Sequence, residues 1–159
     1  MSSSLDYFEQ IVRRAYRFTE AEVATSDGTH PFDARGVHTD LPPDVRKLFD
    51  NGHFAQATFE AMKFVDEEIR RIAKSSESGT KLMMQALGGA SPVVKLNPGM
   101  TSTEKDEQEG FKFLFAGVML AIRNPRGHRT RLTDDPDTCL DHLSLASMLL
   151  RRLDDAGLR

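Results

Sequence analysis

Apolar residues return at intervals of three and four along most of the chain, and alternation with period two is nowhere sustained. That pattern predicts helices and no strands. The first helix is expected over about Leu5 to Ala24, with Phe8, Ile11, Val12, Ala15 and Phe18 on one side. A long irregular connection follows over residues 25–43, punctuated by Pro31, Gly36, Pro42 and Pro43. A short helix is expected over Asp44–Phe49, closed by Asn51-Gly52. Residues 53–74 read as a second long helix whose buried stripe is Phe54, Ala57, Ala61, Val65, Ile69 and Ile72. Its opposite face carries Glu60, Lys63, Glu67, Arg70, Arg71 and Lys74, reads as solvated surface, and offers Glu67–Arg71 as an i,i+4 pair. A short helix at Gly79–Leu87 begins after Ser78 and stops at Gly88-Gly89, and residues 88–100 form a loop.

The next helix has the clearest start. Thr101 and Glu104 stand at capping-box spacing, and Glu104, Asp106, Glu107 and Glu109 put negative charge where the helix dipole favours it. The stretch Gly110–Ile122 that follows is apolar nearly all round, which predicts the central helix of the core. The last helix begins at Asp135-Pro136 and runs to about Asp155. Cys139, Leu143, Ala146, Leu150 and Leu153 form its stripe, and Leu140, Leu145, Met148 and Leu149 add apolar surface beyond it. That excess suits either a deeply buried helix or a helix that meets a second copy. Together these elements predict an all-α bundle of about five helices in a single domain, residues 1–159.

Composition narrows the function classes. A lone cysteine, Cys139, makes neither an intrachain disulfide nor a cysteine zinc site and reads as a small buried hydrophobe. Residues 1–10 lack the apolar core of a signal peptide, and the ten-residue run Phe113–Ile122 is too short to span a bilayer. A cytoplasmic protein without membrane contact is expected. The five histidines (30, 38, 53, 128 and 142) show no metal-ligand spacing, and no glycine-rich phosphate loop occurs, so neither metal nor cofactor is expected. Net charge is −3, yet Arg123, Arg126, His128, Arg129 and Arg131 fall in one segment without an acid. An acidic body with one basic segment suits a local grip on phosphate rather than a long nucleic-acid track.

That segment, Arg123-Asn124-Pro125-Arg126-Gly127-His128, is the candidate chemistry. Proline removes a helical hydrogen bond, crowds the carbonyl of Ala121 and disfavours helical geometry at Asn124; Gly127 frees the backbone again. On an unbroken helix, residues five apart point about 140° from each other. A kink at Pro125 would let Arg123 and His128 converge. Guanidinium, amide and imidazole together fit RNA cleavage by the 2′-hydroxyl, which needs proton transfer and a cation for the transition-state charge. Composition and spacing alone favour a plainer reading, a solvated helix end whose arginines offset the dipole.

The words of the segment shift that balance. Gly117 to His128 resembles the signature of the HEPN superfamily, an arginine and then a histidine at the end of a long core helix. More narrowly, the chain resembles the prokaryotic Ymh-type family. Three stretches carry this resemblance: Gly52-His53-Phe54 to Arg70, Ser78 to Met83, and Gly110 to His128, within about residues 44–130. It implies a HEPN-like helical bundle that forms a homodimer, with two motif copies facing each other across the interface. It implies metal-independent endoribonuclease activity on RNA, in toxin, phage-defence or stress systems with a cognate antitoxin or defence partner. By position, Arg123 would hold the scissile phosphate, His128 would be base or acid with its symmetry mate in the other role, and Asn124 would assist. Arg126, Arg129 and Arg131 would be phosphate contacts. Some HEPN toxins carry a modifiable tyrosine two residues after the histidine; Thr130 stands there in this chain.

Overall fold

The computed structural model describes residues 28–128 and 132–159. The helix expected at Leu5 to Ala24, and residues Arg129, Thr130 and Arg131, lie outside the described residues. The chain divides into two compact units, Met1–Arg35 and Gly36–Arg159. In the first, the stretch expected to be irregular holds one helical turn, α1 (Pro31–Ala34). Proline pre-sets its first residue, and His30 Nδ1 accepts the Phe32 N–H at 3.1 Å.

The second unit consists of helices α2 (Pro43–Asp50), α3 (Phe54–Ala73), α4 (Gly79–Ala86) and α5 (Ser102–Val118), a π-helical turn (Met119–Arg123), α6 (Asn124–His128) and α7 (Pro136–Asp155). No strand occurs among the described residues, and the fold is all-α as the periodicity predicts. No helix among them is long and apolar enough to cross a membrane.

The bundle is built around α3, which packs against α2, α4, the π turn, α6 and α7. Its stripe explains this. Ala55, Ala57 and Ala61 let neighbours approach closely, while Met62, Val65 and Ile69 are fully enclosed or nearly so. The expectation that Gly110–Ile122 is the central helix is therefore corrected. Helix α5 buries Lys112, Phe115, Ala116 and Val118, whereas Phe113 (55%), Leu114 (46%) and Leu120 (62%) are exposed. A helix with apolar residues on all sides has been placed at the edge, packed chiefly on α4.

Helix α7 has the opposite fate. Asp135 caps it by accepting the Thr138 N–H, Pro136 opens it, and Cys139, Leu143, Ala146, Leu149, Leu150 and Leu153 are fully buried. Of its apolar excess, Leu140 and Leu149 are buried, Leu145 is half-buried and Met148 is exposed, while Leu143 and Leu150 of the stripe are core.

Polar pairs fasten the helices. The expected Glu67–Arg71 pair does not form. Arg71 makes a two-pronged contact to Glu68 (3.1 and 2.9 Å), and Arg70 pairs with Asp66 (2.9 Å). Both acids are already held. Asp66 is fully buried and accepts the Gly79 N–H at the start of α4, a cap role that Ser78 leaves unfilled. Glu68 also accepts from Arg159, whose guanidinium further reaches Asp40 and Asp154. Arg71 and Arg159 hold the Glu68 carboxyl below its ordinary value. Gln108 of α5 pins the 88–100 loop by donating to Leu87 and Val94 carbonyls and accepting from Leu96 N–H. The Thr101–Glu104 capping box forms as its spacing predicts.

Candidate functional site

The candidate chemistry lies where α5 ends, and its backbone corrects one expectation. The helical backbone does not stop at Pro125. Asn124 is helical (φ −63°, ψ −44°) and its N–H bonds to the carbonyl of Met119, five residues back. The chain widens into a π turn over Met119–Arg123 and then continues as α6. The extra residue in that turn accommodates Pro125, which follows it directly as the second residue of α6. The consequence is geometric. In a continuous helical turn Arg123 and His128 diverge by about 140°, while Asn124 and His128, four apart, share a side.

Two of the three motif side chains are joined. Arg123 Nη1 donates to Asn124 Oδ1 at 3.3 Å, and His128 is exposed at the end of α6. Arg123 lies over the ring of Phe59 on α3, with 5.7 Å from guanidinium carbon to centroid. Its Nε is enclosed and has no hydrogen-bond partner among the described residues. The same ring explains Gly127. A Cβ there would stand 2.9 Å from Phe59 Cε2, so glycine is required for close packing rather than for the backbone freedom expected of it. Phe59 thus seats one side of the motif against α3 and leaves Asn124 and His128 on another.

Arg126 is not placed to bind phosphate, which corrects the role expected for it. Its guanidinium makes a two-pronged pair with Asp134 (2.7 and 2.8 Å) and donates to the Ile122 carbonyl at 2.9 Å. The two side chains are 8% and 6% exposed. This is a buried clamp that closes the segment from α6 to the start of α7 and satisfies a carbonyl of the π turn. Arg129 and Arg131 lie outside the described residues.

Periodicity and motif spacing missed three residues of this neighbourhood. Asp134 carried a weak signal as the first acid after the basic run. Phe59 carried none, because it lies off the apolar stripe of α3. His142 on α7 has an enclosed Nδ1 with no partner among the described residues. Burial lowers its pKa from the ordinary 6.5, and the nearby charge of Arg126 lowers it further. Cys139, one turn earlier, has its thiol pushed up to about 11 by burial, in keeping with its reading as a small hydrophobe.

Among the described residues no three His, Cys, Asp or Glu side chains converge as metal ligands. A cleft of about 310 Å³ lies under the 88–100 loop, lined by Leu87, Ser91, Lys95, Asn97 and Lys105 among others, and contains no residue of the 119–128 segment. A family model described as "Protein of unknown function (Hypoth_ymh)" matches residues 35–153, which includes every described residue of the candidate site. No curated protein and no solved structure matches the chain.

Proposed function

The chain belongs to the Hypoth_ymh family, and we propose that it is a metal-independent endoribonuclease of HEPN type that works as a homodimer. The observation that carries this reading is the hydrogen-bonded pair Arg123–Asn124 beside an exposed His128, at the end of a helix held by Phe59 and by the Arg126–Asp134 clamp. In the proposed reaction the RNA 2′-oxygen attacks its adjacent phosphorus and the bond to the 5′-oxygen breaks. His128 takes the 2′-proton, and the leaving 5′-oxygen takes one from water or from a group on the other copy. Because Arg123 and His128 of one copy point apart, the proposed site is composite across the dimer: the Arg123 fork of one copy, held by Asn124, meets the phosphate oxygens beside the His128 of the other. The products are a 2′,3′-cyclic phosphate and a 5′-hydroxyl. Arg129 and Arg131 remain proposed phosphate contacts; Arg126 becomes a positioning residue. Such an activity suits a toxin, phage-defence or stress role under a cognate protein partner.

The test is incubation of wild type and His128→Ala with mixed cellular RNA in EDTA, followed by mapping of the ends. Wild type is expected to leave cyclic phosphates, and the variant to lose on the order of 10²-fold or more of the rate. Cleavage that survives in the variant, or that stops with chelator, overturns the reading. Absence of cleavage by both proteins favours a second one, a non-catalytic dimeric RNA-binding or scaffold module, which the exposed apolar face of α5 and the negative net charge support.

A further inference from the structure

The connection between α4 and α5, residues 87–101, holds neither helix nor strand and is long for a compact bundle. It is nonetheless fixed in shape. Gln108 ties Leu87, Val94 and Leu96 together, the Val94 N–H bonds to the Ala86 carbonyl at 2.8 Å, and Asn97 Nδ2 donates to the Glu104 carbonyl at 2.8 Å. Val94 and Leu96 are buried. Between this loop and the start of α5 lies the cleft of about 310 Å³, and every residue that lines it is described. A concavity braced by these hydrogen bonds is formed before any ligand arrives.

The polar groups of its lining residues are matched on one side only. The side-chain acceptors are taken: Asn97 Oδ1 by the Gly99 N–H, Gln108 Oε1 by the Leu96 N–H, and Glu109 by Lys112. The donors are not. Lys95, Lys105, the Ser91 hydroxyl and the N–H groups of Gly89, Ala90 and Ser91 have no hydrogen-bond partner among the described residues. The two lysines differ from most others in the chain. Lys47, Lys63, Lys81 and Lys112 pair with acids, and two of the other three meet at this cleft. Lys105 also lies in the opening turn of α5, where the helix dipole opposes a cation, and Glu109, four residues on, turns to Lys112 instead.

A wall with spare donors and no spare side-chain acceptor calls for a ligand that brings the acceptors and the negative charge. We propose that this cleft binds a small organic phosphate of the size of one nucleoside monophosphate, its phosphate held by Lys95, Lys105 and Ser91. Two ammonium groups suit the double charge of a phosphate monoester, whose three terminal oxygens accept from several donors at once. Leu87, Ala90, Pro92 and Pro98 line the rest of the cleft with apolar surface for a ring. The volume stands at the small end of ligand sites, enough for one such molecule. A nucleic-acid strand is a poorer occupant, because Glu104, Asp106, Glu107 and Glu109 follow one another along the start of α5 and oppose a continuous polyanion. No residue of the 119–128 segment takes part, so the site stands independently of the ribonuclease reading.

The test is calorimetric titration of the full chain with AMP, UMP, adenosine and inorganic phosphate. At least one nucleotide is expected to bind saturably with a Kd below about 1 mM. Lys95→Met with Lys105→Met is expected to weaken that binding on the order of tenfold or more while leaving the helix content unchanged, since both lysines are exposed. Ala90→Trp keeps both lysines, fills the cleft and is expected to abolish binding. His128→Ala is expected to bind as wild type does, whether or not either protein cleaves RNA. Absence of binding by both nucleotides, or binding that survives the double lysine variant, overturns the site. Adenosine binding as tightly as AMP overturns the role of the lysines. Inorganic phosphate binding as tightly as the nucleotides overturns the role of the apolar wall. A short RNA that binds through both lysines while neither nucleotide binds makes this a strand contact and overturns the small-ligand proposal.

Discussion

Helices α5 and α7 are both rich in apolar residues, and the bundle uses them in opposite ways. In α7 the residues Cys139, Leu143, Ala146, Leu149, Leu150 and Leu153 are sealed inside. In α5 and the turn after it, Phe113, Leu114 and Leu120 face outward. The difference lies in what shares each helix. The polar residues of α7, such as Asp141, Arg151 and Asp154, sit opposite its leucines and define a single wet side. Helix α5 buries Lys112, in an ion pair with Glu109, while presenting Phe113 and Leu114 to solvent. Among the described residues its dry side and its wet side are not separated. Apolar content therefore tells how much surface must be covered, while its arrangement tells whether the same chain can cover it.

Substitutions break this contrast from its strong end first. Leu143→Ala on α7 is expected to destabilise the fold by about 3–5 kcal/mol, because a fully buried leucine leaves a cavity. Leu120→Ser is expected to change the stability of the dissociated chain by about 0.5 kcal/mol or less. Urea denaturation at low protein concentration compares the two. Equal costs would mean that α5 is as enclosed as α7.

The second prediction concerns the clamp between these helices. Arg126→Ala leaves Asp134 buried without its partner and is expected to cost about 3 kcal/mol. The double variant with Asp134→Ala should recover part of that loss. Arg126→Lys, which lacks the planar fork, should fall between. A phosphate-binding arginine would instead leave stability unchanged and weaken RNA affinity, so the same denaturation series decides between the two roles.

The smallest effect is expected from His142, at the inner side of α7. Its folded pKa lies below the ordinary 6.5, so the unfolded chain takes up the proton first as pH falls. Stability present above about pH 6.5 is lost as pH drops toward the folded value. His142→Gln removes this component. The stability difference between wild type and variant should be flat above pH 7 and shift against wild type below it. A difference that does not vary with pH would mean that the imidazole is solvated.

Local interactions made much of this legible beforehand. The capping box at Thr101–Glu104, the Asp135–Pro136 start of α7 and the α3 stripe all depend on residues three or four apart, whose contacts a helix dictates wherever it lies. The motif residues Arg123, Asn124 and His128 were legible as words, and so was the end of a helix near them. Their arrangement was not. Pro125 read as a break because its clash is with an α-helical turn, and a π turn before it lets the helical backbone run on. Arg126 read as surface charge because its partner is eight residues on, beyond any helical spacing.

The sequence by itself determined the longer described helices, most of their ends, and the concentration of basic groups in one segment, because propensity, capping and periodicity act over one or two turns. Tertiary structure alone decided which apolar helix became the hub, which arginine turned inward to Asp134 and which stayed with Asn124, and that Phe59 demands Gly127. Those outcomes depend on competition among distant groups for a limited interior. A side chain is buried or left in water according to what the rest of the bundle brings to it.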